Sequence, residues 1–261
     1  MRLSSANINV MVKACRKASK TIIRDFGEIE KLQVSLKGPG DYVTASDKKV
    51  EEILINELRI ARPNYSILSE EIGLIKNSEE FKWVIDPIDG TTNFLHGIPH
   101  FGISIGLEQK NEIICGIIYD PIKDEMFLAE KGNGAYLNNQ RLRVSARSKL
   151  KDCIIFTGGP RKEAQNRELS LEEYKKFSSS VDTPILKTGS AALDMAYVAA
   201  GRSDGFWHRQ LNYWDIAAGI IIVKEAGGFV TDFKGNNQYI EKKNILVTNS
   251  RINNEMIKIL E

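Results

Sequence analysis

The sequence is poor in several things, and each shortage narrows its function. There are three cysteines, Cys15, Cys115 and Cys153. Odd in number, widely spaced and set among apolar neighbours, they suggest neither a disulfide framework nor a thiolate metal site, and buried reduced thiols are expected. No apolar run approaches the roughly 18 residues of a membrane span. Lys13, Arg16, Lys17 and Lys20 interrupt the opening segment, which speaks against a signal peptide and gives a cytoplasmic location as the expectation. Charge of one sign is also scarce: 36 Lys and Arg against 34 Asp and Glu leave a net charge of +2. With no basic stripe and no interleaved aromatics, no direct nucleic-acid contact and no membrane contact is expected. Internal repeats, low-complexity tracts and linkers are absent. What remains is a chain of 261 residues, 42% hydrophobic and 27% charged, that can bury a large core. We expect a single α/β domain over residues 1–261, with sub-lobes of about 1–145 and 146–261.

The apolar spacing at Ile8, Met11, Val12, Cys15, Ala18, Ile22 and Phe26 predicts an amphipathic helix. A polar segment with glycine and proline, LKGPGDYVTASD, reads as a loop into a second helix that carries Asp47 near its start and ends at Pro63. The short runs YSIL and FKWVI read as strands that deliver Glu70 and Asp86 at their ends. FGISIGLEQ, EIICGIIYD, EMFLAE and GAYLNNQRLRVS, separated by turn signals, predict an antiparallel meander. After about residue 150 strands and helices alternate: DCIIFTG, a charged helix near 161–180, PILKTG, an alanine-rich helix, FW, and WDIAAGIIIVKEAGG with its stop at Gly227 and Gly228. FVTDF, NILVTNS and a closing helix finish the chain.

Five carboxylates fall at the ends of these elements: Asp47, Glu70, Asp86, Asp89 and Asp215. An all-oxygen set without histidine or cysteine suits a hard cation, Mg²⁺ before Zn²⁺. In WVIDPIDGTTNF, Pro87 restrains the backbone so that the Ile88 carbonyl could face the same cation, and Gly90 permits a sharp turn. Thr91 and Thr92 follow with hydroxyls and backbone N–H groups suited to a phosphate oxygen. Metal ligands beside an anion pocket point to phosphoryl chemistry. An EF-hand loop is absent, as are a cysteine nucleophile in an arginine cradle and the DxDxT pattern of aspartyl-phosphate phosphatases. His96 and His100 read as structural hydrogen-bonders.

KGPGDYVTASD, SILSEEIG, WVIDPIDGTTNFLHGIPHFGISIGL, GSAALDMAYVAAG and NYWDIAAGIIIVKEAGG together resemble the inositol monophosphatase family. That family lies within the lithium-sensitive, Mg²⁺-dependent phosphatases that include fructose-1,6-bisphosphatases, and the similarity is strongest to its bacterial extragenic-suppressor branch. The resemblance implies a layered αβαβα sandwich, a homodimer, and hydrolysis of inositol monophosphate or similar small sugar and polyol monophosphates by a metal-activated water. It implies two to three Mg²⁺: one on Glu70, Asp86 and the Ile88 carbonyl, a second on Asp86, Asp89 and Asp215, and a weaker third on Glu70. Asp47 and Thr91 would orient the attacking water, with Glu70 also catalytic. Asp89, Gly90, Thr91, Gly189, Ser190, Ala191, His208 and Asp215 would contact substrate.

Other substrates of the same chemistry are fructose-1,6-bisphosphate, histidinol phosphate and phosphorylated nucleotides. Suppressor-branch relatives also bind the transcription and ribosomal-RNA antitermination machinery, so a non-catalytic partner role is the rival reading. His208 stands where many family members carry a glutamate. A neutral imidazole is expected there to donate one hydrogen bond, and an imidazolium two, where glutamate only accepts.

Overall fold

The structure is a computed structural model and describes residues 5–29, 34–38, 41–159 and 167–261. Helix α1 (Ala6–Phe26) starts at Ser5, whose hydroxyl accepts from the Ile8 amide, and buries the expected stripe, Ile8, Met11, Cys15, Ala18 and Ile22. The segment read as a loop is instead largely extended: β1 (Val34–Gly38) and β2 (Asp41–Thr44) pair antiparallel, with Pro39 and Gly40 outside the described residues. Glycine and proline punctuate a hairpin as readily as an open loop, which is why composition pointed the wrong way. Helix α2 (Ala45–Ala61) follows and stops ahead of Pro63.

The predicted meander is the body of an eight-stranded sheet. Its strands are β3 (Ser66–Ser69), β4 (Gly73–Ile75), β5 (Phe81–Asp89), β6 (Gly102–Gln109), β7 (Glu112–Asp120), β8 (Glu125–Glu130), β9 (Gly134–Leu137) and β10 (Gln140–Arg141), with the short helix α3 (Thr91–Leu95) between β5 and β6. The order is β10-β9-β8-β7-β6-β5-β3-β4, and every neighbouring pair is antiparallel except β3 with β5. A smaller sheet, in the order β11-β12-β14-β13, is formed by β11 (Ile155–Thr157), β12 (Gly205–Arg209), β13 (Phe229–Thr231) and β14 (Asn244–Thr248). Four helices belong to this half: α4 (Arg167–Ser178), α5 (Ala191–Ala199), α6 (Tyr213–Glu225) and α7 (Asn253–Leu260). Part of the charged helix expected near 161–180 is α4, while residues 161–166 lie outside the described residues. The strand expected in PILKTG is reduced to one bridge between Leu186 and Phe156. Pro184 has no N–H to lend a ladder, and the chain turns away at Gly189 with φ +94°.

Side-chain alternation assigns the layers. On β5, Trp83 and Ile85 join α1 and α2 in one core, whereas Val84 joins α5 and α6 in a second. On β12, Phe206 faces that second core, whereas Trp207 joins Phe177 of α4 and Met256 of α7 in a third. The result is α1/α2, large sheet, α5/α6, small sheet, α4/α7: the expected αβαβα sandwich. Cys15, Cys115 and Cys153 are free and buried, and burial pushes each thiol up to about 12. Among the described residues no helix is long and apolar enough to cross a membrane.

Candidate active site

The ends of these elements meet in one cleft of about 380 Å³. Glu70, at the end of β3, and Asp86, Ile88 and Asp89, on the last turns of β5, line one side. Gly90 and Thr91 continue that wall; Gly189, Ser190, Ala191, His208 and Asp215 come to it from the other half of the chain. Asp47, in the first turn of α2, does not line the cleft, but its charge reaches Asp86.

Local structure explains how each side chain is held. The Asp86 carboxylate accepts from the Ile88 amide (3.1 Å), a tight Asx turn around Pro87. The Thr91 hydroxyl donates to the Ile88 carbonyl (2.9 Å); its oxygen keeps lone pairs with which to accept. Gly90 turns the chain between them at φ +97°. Asp89 reaches across to α5, accepting from the Ser190 hydroxyl and from the Ala192 amide (2.7 Å). Such N–H groups have no partner within a helix, and a carboxylate suits them and the positive helix end. Asp215, in the first turn of α6, accepts from the Asn212 amide (2.7 Å).

Asp86 is 2% exposed, and its carboxyl is held well above the usual carboxylate range. Burial is the main cause, followed by the like charges of Glu70, Asp89, Asp215 and Asp47. Among the described residues no three acidic, histidine or cysteine side chains stand close enough, as placed, to grip one metal ion. The two observations are compatible, because Coulomb energy falls only as the inverse of distance whereas coordination needs contact at about 2 Å. The carboxylates share a cleft and feel one another without yet converging on a point. In kind, they fit a hard cation: every donor is an oxygen.

Three contributors escaped the sequence reading. Glu51, 1% exposed, lies one turn beyond Asp47 on α2 and accepts from the amides of Glu71 (3.0 Å) and Ile72 (3.4 Å), which fixes the turn carrying Glu70. Its spacing of four from Asp47 was the available signal. Asn93 donates to the carbonyls of His100 (2.7 Å) and Thr188 (2.8 Å). Asp194, buried on α5, accepts from the Thr188 hydroxyl, and its carboxyl is held well above the usual range, chiefly by burial and further by the charge of Asp89.

His208 occupies a border position, lining both the cleft and a neighbouring cavity of about 290 Å³. Its Nδ1 faces the Arg209 carbonyl. A carbonyl only accepts, so this contact is a hydrogen bond in the tautomer or imidazolium that carries a proton on Nδ1. Of the other histidines, His96 caps the end of α3. The His100 ring meets Tyr197 edge-on, and burial, ahead of nearby Lys123, lowers its pKa.

A layered α/β sandwich with carboxylates from strand ends and helix first turns in one cleft defines a narrow class. The sequence matches the inositol monophosphatase family over residues 5–261, and the chain belongs to that family. It is 48% identical over 258 residues to an inositol-1-monophosphatase of Rhizobium meliloti, covering 98% of this chain and 97% of that one. It is 41% identical over 252 residues to the Nus factor SuhB of Escherichia coli, covering 96% and 94% respectively. The crystal structure of the extragenic suppressor protein SuhB from Bartonella henselae superposes with a TM-score of 0.95 at 50% identity, covering 98% of this chain and 99% of that one.

Proposed function

We propose that this protein is a Mg²⁺-dependent phosphatase of inositol monophosphate or similar small sugar and polyol monophosphates. The observation that carries the proposal is Asp86: a carboxyl buried in the cleft wall and pushed up first by that burial and then by four other acids is an electrostatic arrangement that a cation relieves. Glu70, Asp86, Asp89, Asp215 and the Ile88 carbonyl would hold two or three Mg²⁺. When bound, these ions supply neutralisation of phosphate charge and acidification of water. The Thr91 hydroxyl, its proton committed to the Ile88 carbonyl, accepts from the attacking water and, with Asp47, orients it. Gly189, Ser190 and Ala191 sit against the alcohol portion. No side chain is needed as a nucleophile, so hydrolysis proceeds without a covalent enzyme intermediate.

The test is phosphate release from a panel of monophosphates with Mg²⁺ present. Turnover of inositol 1-phosphate or another small polyol monophosphate is expected, and no release from any member would overturn the reading. Relatives named Nus factor SuhB favour a second role as a partner of the transcription machinery. Affinity capture from cells tests it, with co-purifying RNA polymerase the expected result.

Substrate choice should depend on His208. A glutamate there brings a charged acceptor, and a hydrogen bond to a charged group exceeds one to a neutral group by about 1 kcal/mol. His208→Glu is therefore expected to raise kcat/KM for inositol 1-phosphate relative to other sugar monophosphates by roughly tenfold, with Mg²⁺ dependence unchanged. An unchanged ranking on a folded variant would move specificity to residues 189–191.

A further inference from the structure

The cleft has two walls that belong to different parts of the fold. One includes Asp86 and Ile88 to Asn93 at the end of β5; the other, Gly189 to Ala191, is flanked by Thr188 and leads into α5. We propose that the Asn93 carboxamide is a latch between these walls, a positioning residue that sets how firmly the second wall holds its ligand while leaving the chemistry to others. For substrate this rests on the phosphatase reading; for the walls themselves it does not.

Both amide protons are engaged, in different directions. Nδ2 donates to the His100 carbonyl at 2.7 Å, anchoring the side chain on its own side, and to the Thr188 carbonyl at 2.8 Å, reaching the opposite wall. Two carbonyls are two acceptors, so the nitrogen and not the oxygen must face them. A carboxylate in the same shape would set acceptor against acceptor twice. The contact is close: Asn93 lines the cleft yet is only 7% exposed, and a Cβ added at Gly189 would lie 2.7 Å from Nδ2. On the far wall the Thr188 hydroxyl is tied in turn to Asp194 of α5, so the latch engages a braced segment.

The walls are also tied by Asp89, which accepts from the Ser190 hydroxyl and the Ala192 amide. That tie spends lone pairs of a carboxylate that a cation would also claim. Asn93 holds Thr188 through its own amide protons and spends no carboxylate lone pair.

Asn93→Asp, with Asn93→Ala as the variant that loses the donors without adding charge, provides the test. Hydrogen exchange is expected to quicken about tenfold at the amides of Ser190 to Leu193 and to stay unchanged in the body of α6, the effect of losing one buried hydrogen bond. With whichever monophosphate the wild type hydrolyses, KM is expected to rise by about tenfold and kcat to stay within about twofold. Asparagine replaced by aspartate should be at least as damaging as replacement by alanine. A purely structural role predicts a lower Tm with wild-type KM and unchanged local exchange, and that result overturns the latch. A fall in kcat at constant KM overturns it too. Should the aspartate variant not fold, the alanine variant decides both arms. If the wild type hydrolyses no monophosphate, the phosphatase reading fails, and the exchange arm alone decides the latch.

Discussion

Asp86→Asn is expected to lower turnover by about a thousandfold and, in the absence of metal, to make the protein more stable. The first effect follows from charge: a unit charge about 4 Å from a cation contributes on the order of 4 kcal/mol at an effective dielectric near 20, close to three decades in rate. The second follows from the burial of Asp86 among four other acids, which raises its pKa. A carboxyl with a raised folded pKa contributes most at low pH. Its contribution is complete below the ordinary range, roughly pH 4, and is lost as pH rises through the folded value. The metal-free wild type should therefore lose stability relative to the asparagine variant between acid and neutral pH. Thermal unfolding of both proteins in chelator across that range measures the difference. A variant that is less stable at neutral pH, or that keeps more than about a tenth of wild-type turnover at saturating Mg²⁺, contradicts the assignment.

Removing divalent cations should abolish phosphate release altogether, and adding Mg²⁺ should restore it while raising Tm. A cation that binds only the folded chain stabilises it by about 2.7 kcal/mol at one hundred times its Kd, and here it also quenches the repulsion focused on Asp86. The rise in Tm on adding Mg²⁺ should be much smaller in Asp86→Asn, because both the ligand and the repulsion are gone. Full activity in excess chelator would falsify the metal mechanism. Inhibition by lithium is expected from the family resemblance, and insensitivity to it bears on that part alone.

Much of this was legible in the sequence, for identifiable reasons. The unbroken apolar run WVI is the pattern of a strand buried on both faces, and both faces of β5 prove to be core. The carboxylates were visible because an acid directly after an apolar run is costly unless it serves something. What escaped has no local signature. The Asn93 to Thr188 hydrogen bond joins residues 95 apart, and an amide carries no charge to draw notice. His208's tautomer depends on the carbonyl beside it, which only the backbone path decides. The β1 and β2 pair was hidden by the glycines and proline that also spell a loop.

The cleft draws one wall from the segment around β5 and the other from the segment around α5, joined by a hydrogen bond between residues 103 apart in the chain. During synthesis, the large sheet can be complete while α6, which supplies Asp215, is still unmade. Long-range contacts of this kind form late, after the loops they close have lost their freedom. The acidic wall at the end of β5 is thus made before the Asp215 that faces it. The cleft is complete only once α5 and α6 lie between the two sheets.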